Sequence, residues 1–356
     1  MDEMESAMID TYQYAKNIRM NSESNRGSML STVNRLHKYL CSTMLPESYF
    51  QGITPILEIF PDALADTFML EYTLEEERDR PDFSLCFWNQ PSIARIFAGE
   101  DPFVHLPAYL LANSIWCRFR EFWIYRHNNP ALFQDMANFW LEFDMIAEKV
   151  PDFPVPSVFL RVNSHDYRDW FMDGLEIIMD QVIPSPVKQQ LQKLFTLLPE
   201  NARVSQIGSL QARNQESLRL YVRMADHRQM FGLLDQLGYP GDLKPLAAFI
   251  DSLAGSAGYL KLQFNMGPEI LPKIAIELLN PPEKAGWKPL IENLITHRLC
   301  TGAYHEFLLN WPDSILVQEP KARNYLLLYK YISHLKIIYE PGVPLSAKAY
   351  LGVTYS

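Results

Sequence analysis

Two patterns of apolar positions alternate along this chain. Short runs in which every second residue is apolar come in pairs, and longer stretches with helical spacing separate the pairs. The paired runs are Phe68–Leu74 with Phe83–Trp88, Phe139–Asp144 with Ser157–Val162, and Val204–Leu210 with Ser217–Met224. Tyr259–Asn265 with Lys273–Leu278, and His334–Tyr339 with Ala347–Val353, complete the set. The spacing predicts helices over Ile53–Asp66, Leu106–Arg126, Asp166–Leu197, His227–Leu237, Asp242–Leu253 and Trp287–Trp311. Residues 1–45 read as a separate helical segment with a polar break at Asn21–Gly27, ahead of one domain over 46–356. The fold class is α+β: about five hairpins, each flanked by helices, in repeated α-β-β-α units. Sequential hairpins tend to pair with their neighbours, and ten antiparallel strands tend to curl, split or close. Closure gives a ten-stranded barrel without edges, ringed by helices around a solvent-filled lumen.

The two faces of each strand differ in chemistry. Leu218, Leu220 and Val222 share one face of the sixth run, and Arg219, Tyr221 and Arg223 the other. The same division sets Leu260, Leu262 and Phe264 against Lys261, Gln263 and Asn265, and Ile274, Ile276 and Leu278 against Lys273, Ala275 and Glu277. The apolar set must meet the helices. On an open sheet, the polar set is a solvated face and needs no function. On a closed sheet it lines a lumen, and buried cations then require an anion or water beside them. Arg-x-Tyr and Lys-x-Tyr at strand spacing place a cation beside an aromatic ring on one face. That combination suits a diphosphate and the allylic cation it leaves behind.

In these features the chain resembles the ABBA-type aromatic and peptide prenyltransferases, whose α-β-β-α units close a ten-stranded barrel. The resemblance implies that Arg219 with Tyr221, and Lys348 with Tyr350, bind a prenyl diphosphate and shield its cation. Lys261 and Lys336 have the strand position, but Gln263 and Ile338 stand where tyrosines would be. Together with Arg161 they complete the expected diphosphate-binding set. Glu71 lies at the place of the family's acidic residue that accepts the acceptor's proton, and Glu142 is a second candidate. The resemblance implies transfer of a dimethylallyl or geranyl group to an aromatic molecule or a peptide side chain in natural-product biosynthesis. No cofactor is required by it, and Mg²⁺ is an optional companion. The alternative is a non-catalytic module that binds a peptide or a small ligand.

Composition narrows these choices. With 356 residues, 48% hydrophobic and 21% charged, the chain is globular and not disordered or fibrous. A formal net charge of −10 argues against a nucleic-acid partner. No apolar run reaches the roughly 18–20 residues of a membrane span, and the acidic start Met1–Glu5 has no secretory pattern. Cys41, Cys86, Cys117 and Cys300 form no CxxC pair. The expectation is a cytoplasmic protein with reduced thiols. Asp166, Asp169, Asp173 and Glu176 read as a solvated helix face. The eight histidines have no metal-site spacing, although His334 alternates with Lys336 and could be lumenal. Phosphate-binding glycine loops and the GxSxG hydrolase motif are missing from the sequence.

Overall fold

The computed structural model describes residues 28–355 apart from 43, 63, 66, 77–79, 146–154, 214–216, 225, 254–257, 280–285 and 319–324. Two helices, α1 (Met29–Leu40) and α2 (Glu47–Ile59), precede the hairpin β1 (Thr67–Thr73) and β2 (Asp82–Trp88). Helices α3 (Pro91–Ala98), α4 (Ala108–Leu111) and α5 (Ser114–Asn128) lead to β3 (Asn138–Phe143) and β4 (Ser157–Ser164). Next come α6 (Asp169–Met179) and α7 (Ser185–Leu197), then β5 (Arg203–Ser209) and β6 (Leu218–Met224). They are followed by α8 (His227–Leu237), α9 (Lys244–Ser252), β7 (Tyr259–Met266) and β8 (Ile270–Leu279). The last unit is α10 (Lys288–Thr296), α11 (Gly302–Asn310), β9 (Asp313–Gln318), β10 (Tyr325–Tyr339) and β11 (Ser346–Tyr355).

The sheet closes. Strands β1 to β8 pair in sequence, β8 pairs with β10, β10 with β11, and β11 returns to β1. Every one of these pairings is antiparallel. Leu70, for example, faces Phe83 on one side and Leu351 on the other. Ten strands therefore form the ring, as the paired runs predict. The eleventh, β9, lies outside it on the N-terminal half of β10. That extra hairpin was not expected, because Tyr325–Lys330 lacks the period-two alternation seen in His334–Tyr339.

The apolar faces point outward into the helices. Leu218, Leu220, Val222, Leu262 and Phe264 are fully buried there, in one core with Phe119, Phe122 and Trp123 of α5. Burying each such side chain contributes about 1.5–3 kcal/mol. A one-residue slip would turn Arg219, Tyr221 and Arg223 into that layer, so the core sets which face becomes the lumen. The helix α1 shares the core through Met29, Val33 and Leu36, whereas the expected break at Asn21–Gly27 lies outside the described residues.

Several long expected helices are interrupted. Asp166–Leu197 divides into α6 and α7, where Asp180 takes the left-handed conformation (φ 53°) and Pro184 precedes the restart. Trp287–Trp311 divides at Arg298 (φ 61°), and Thr301 caps the new helix through the Tyr304 amide. Leu106–Arg126 divides ahead of Asn113, whose side chain accepts from the Ile115 amide. The helix expected over Ile53–Asp66 starts earlier, at Glu47, and stops before Pro61. Helix α3 was not anticipated; it begins with Pro91 and ends at Gly99.

Candidate active site

The lumen holds a cavity of about 110 Å³, room for several water-sized molecules at ~10–15 Å³ each. Arg161, Gln206 and Tyr221 line it from β4 to β6, and Lys261, Glu277 and His334 from β7, β8 and β10. Across from these stand Met69, Ser84, Trp140 and Glu142 on β1 to β3, with Tyr350 on β11. Alternation places each of these side chains inward, opposite the core residues of the same strand.

Glu277 is the centre of the basic side. Its carboxylate lies 3.3 Å from His334 Nε2, 3.5 Å from Lys336 Nζ and 3.6 Å from Lys261 Nζ. Burial alone would raise its pKa, but the His334 ring and the two ammonium groups outweigh it and hold the carboxyl well below its usual range. Lys336 also donates to the Tyr350 hydroxyl, and its ammonium lies 4.2 Å from that ring's centroid and 5.7 Å from the Tyr221 ring. Burial lowers the Lys336 pKa despite its acidic neighbours. His334 stacks on Tyr350 at 4.0 Å between centroids, and its Nδ1 lies 3.1 Å from Ser333 Oγ.

A second group of charges surrounds Glu71. Lys348 donates to Glu71 Oε1. Burial again favours the neutral acid, but Lys348 and Lys336 outweigh it and hold Glu71 well below its usual range. Burial opposes charge on Lys348 too, yet Glu71 raises its pKa. Asp82, the register partner of Glu71, is pushed up to about 7 by burial and by the Glu71 charge. Glu142 is shifted upward as well, mainly by burial and then by Glu71. Arg213, from a 3₁₀ turn over Gln211–Arg213, binds Glu142 at 3.1 Å and Asp144 at 2.5 Å.

The expected site residues therefore divide among several settings. Lys261 and Lys336 converge on one carboxylate, and Arg161 lines the same cavity. Arg219 instead donates to Asn265 Oδ1 at 3.0 Å, and Lys348 is held on Glu71. Tyr221 and Tyr350 both present their rings to Lys336. Of the two candidate bases, Glu142 lines the cavity and Glu71 is engaged by Lys348. Sequence reasoning left out Glu277 and Arg213. Glu277 could have been noticed as the acidic member of a polar face whose neighbouring strands carry lysines. Arg213 lies in a turn, where no alternation marks it.

No family model matches the chain, and no curated protein matches it. Solved structures do. The apo form of the prenyltransferase PriB is 12% identical, with a TM-score of 0.50 over 90% of this chain and 94% of its own. AnaPT from Neosartorya fischeri is 11% identical, with a TM-score of 0.47 over 91% of this chain and 87% of its own. The 5-dimethylallyltryptophan synthase of Streptomyces coelicolor is 14% identical, with a TM-score of 0.45 over 91% of this chain and 97% of its own. The fold is the prenyltransferase barrel.

Within that barrel, aromatic rings close over two lumen-face glycines. A Cβ on Gly208 would come within 2.2 Å of the Phe159 ring, and one on Gly352 within 2.2 Å of the Tyr331 ring. Phe159 in turn meets Tyr221 edge-on at 5.9 Å. The missing side chain at Gly208 is thus part of what sets the Phe159 wall of the cavity.

Proposed function

We propose that this protein is a prenyltransferase that moves a dimethylallyl or geranyl group from its diphosphate to an electron-rich acceptor. The acceptor class is an aromatic small molecule or a peptide side chain. The observation that carries the reading is a single lumenal cavity that brings Arg161 and Lys261, the rings of Tyr221 and Tyr350, and the Glu142 carboxylate together. Likeness to the PriB barrel, a prenyltransferase, supports it. In this reading Arg161, Arg219, Lys261, Lys336 and Lys348 form the cationic side of the lumen.

Transfer begins with heterolysis of the donor's C–O bond, whose electron pair leaves on the diphosphate oxygen. The cationic side stabilises that charge, in a setting where fixed charges act more strongly than in water. Tyr221 and Tyr350 present π faces to the allylic cation and exclude water from it. The acceptor's electron pair then forms the new bond, and its proton passes to Glu142. Burial and the nearby Glu71 charge make Glu142 more basic than an ordinary carboxylate. Glu71, depressed and engaged by Lys348, is the weaker base and serves to position that lysine.

Mg²⁺ would enter as a companion of the diphosphate; among the described residues no group of three or more acidic, histidine or cysteine side chains could hold a metal ion. No helix among the described residues is long and apolar enough to cross a membrane. A cytoplasmic setting in natural-product biosynthesis, with no nucleic-acid partner, fits the acidic chain.

The test is incubation with dimethylallyl or geranyl diphosphate and a panel of tryptophan, tyrosine and short aromatic peptides, with and without Mg²⁺. Mass spectrometry should find one acceptor heavier by one prenyl group, with diphosphate released in equal amount. A protein that binds neither donor's thiolo analogue by calorimetry is not a prenyltransferase.

A further inference from the structure

The mechanism above leaves His334 without a role. It is 8% exposed, lines the cavity, and lies 3.3 Å from Glu277, which Lys261 and Lys336 also approach. Its Nδ1 is next to Ser333 Oγ, which leaves Nε2 as the nitrogen for a ligand. Nε2 is 3.3 Å from Glu277 Oε1 and Glu277 Oε2 is 3.6 Å from Lys261 Nζ, long contacts that leave both buried atoms short of a close hydrogen bond. Buried polar atoms held only by long contacts, in a cavity, mark a place where polar groups of a ligand are accommodated.

We propose that His334 is a conditional ligand of the prenyl diphosphate, neutral in the empty lumen and imidazolium once the donor is bound, so that donor binding takes up a proton. The proposal rests on the prenyltransferase reading and adds a donor ligand to it. Facing His334 are Glu277 on β8, Lys261 on β7, Lys336 on its own strand and the Tyr350 ring on β11. In the empty lumen, two ammonium groups are set against one carboxylate, and burial adds to their disfavour of a third cation. Burial, together with repulsion from Lys336 and Lys261, outweighs the pull of Glu277 and lowers the His334 pKa. A diphosphate reverses the balance, because its several negative charges exceed the one net positive charge of this cluster. Protonation gives the ring a second N–H and a positive charge, and extends the cationic side of the lumen toward the diphosphate.

The probe is dimethylallyl thiolodiphosphate, titrated into the full-length protein at pH 8 in two buffers of different ionisation enthalpy. The wild type should take up about one more proton per bound donor than His334→Gln, and its affinity should fall more steeply with rising pH. Equal proton counts in the two proteins overturn the proposal and leave the prenyltransferase reading in place. Absence of binding to the wild type overturns both. Should His334→Gln not fold, histidine-selective NMR of the wild type gives the answer. One of eight imidazole signals should move to its protonated position when the probe is added. If none moves, His334 does not change charge.

Discussion

Lys336 and Glu277 lie 3.5 Å apart with side chains 5% and 3% exposed, so each is the condition for the other's charge. Two ions this far from water are held by their mutual attraction, with Lys261 also beside Glu277, and removal of one leaves the rest uncompensated. Breaking such a buried pair from one side costs about 3–5 kcal/mol. Glu277→Gln should therefore lower the free energy of unfolding by that order, as read by urea denaturation. Addition of Lys336→Met to the variant should restore part of the loss, because the orphaned ammonium is then gone as well. If the double variant is as unstable as the sum of the single ones, the two residues are not coupled.

Asp82 gives a pH dependence of the opposite sign to its neighbours. Its folded pKa, pushed up to about 7, lies above the unfolded value, so the stability tied to its neutral form is complete below about pH 4 and is lost as pH rises towards 7. Glu71 and Glu277 are held below their unfolded values, so their contribution is present above about pH 4.3 and is lost on acidification. Asn at position 82 can still accept from the Met145 amide, which donates to Asp82 Oδ1 at 2.7 Å. Asp82→Asn should thus raise stability by about 1–3 kcal/mol at pH 8, with no gain at pH 4. Thermal melts at the two pH values measure the difference. A gain of equal size at both would show that charge on Asp82 is not its cause.

Glu142 and Glu71 should be separable kinetically. Glu142→Gln removes the cavity-lining base and should lower kcat by roughly 10²–10⁴-fold, with calorimetric affinity for the thiolo-diphosphate nearly unchanged. Glu71→Gln frees Lys348 and should act on donor affinity as well as on rate. The reverse outcome, in which Glu71→Gln alone abolishes turnover at unchanged donor affinity, would assign the proton transfer to Glu71.

Gly208 tests the cavity wall. An added methyl group would meet the Phe159 ring and the Val158 carbonyl oxygen, the latter at 2.6 Å, and backbone cannot rotate out of the way as a ring can. Overpacking of this kind costs typically about 1–3 kcal/mol. Gly208→Ala should be destabilised by that amount, and Phe159 should swing into the lumen and favour dimethylallyl over geranyl diphosphate. Gly208→Ala with Phe159→Leu should recover the longer donor and the part of the stability lost to the ring, while the contact with the Val158 carbonyl remains. Unchanged donor preference in Gly208→Ala would remove Phe159 from the donor-facing wall.

Much of this architecture is written in local pattern. Alternation in LRLYVRM and YLKLQFN assigns each residue to a face, because strand geometry has a period of two and the apolar face must be buried. From that alone Arg219, Tyr221 and Lys261 share the polar face, and the paired runs give ten strands, whose ring the family resemblance implies. Helix ends were less legible, since Arg298 adopts left-handed backbone that its residue type does not announce, and Asp180 does so inside a run of otherwise helical spacing. The β9 hairpin was hidden because Leu326, Leu327 and Leu328 carry no alternation.

What the chain's order could not decide is which charges meet. Glu277 reaches Lys261 from the neighbouring strand and Lys336 from the strand on its other side, although Lys336 is far away in sequence. Those contacts depend on the register of β8 against β7 and β10. Only the folded barrel shows that Lys348 is neutralised by Glu71 while Lys261 and Lys336 share Glu277. Period-two patterning is a property of single strands, so sequence determined the faces. Ion pairing depends on register between strands, and Lys348 meets Glu71 because the ring brings β11 beside β1.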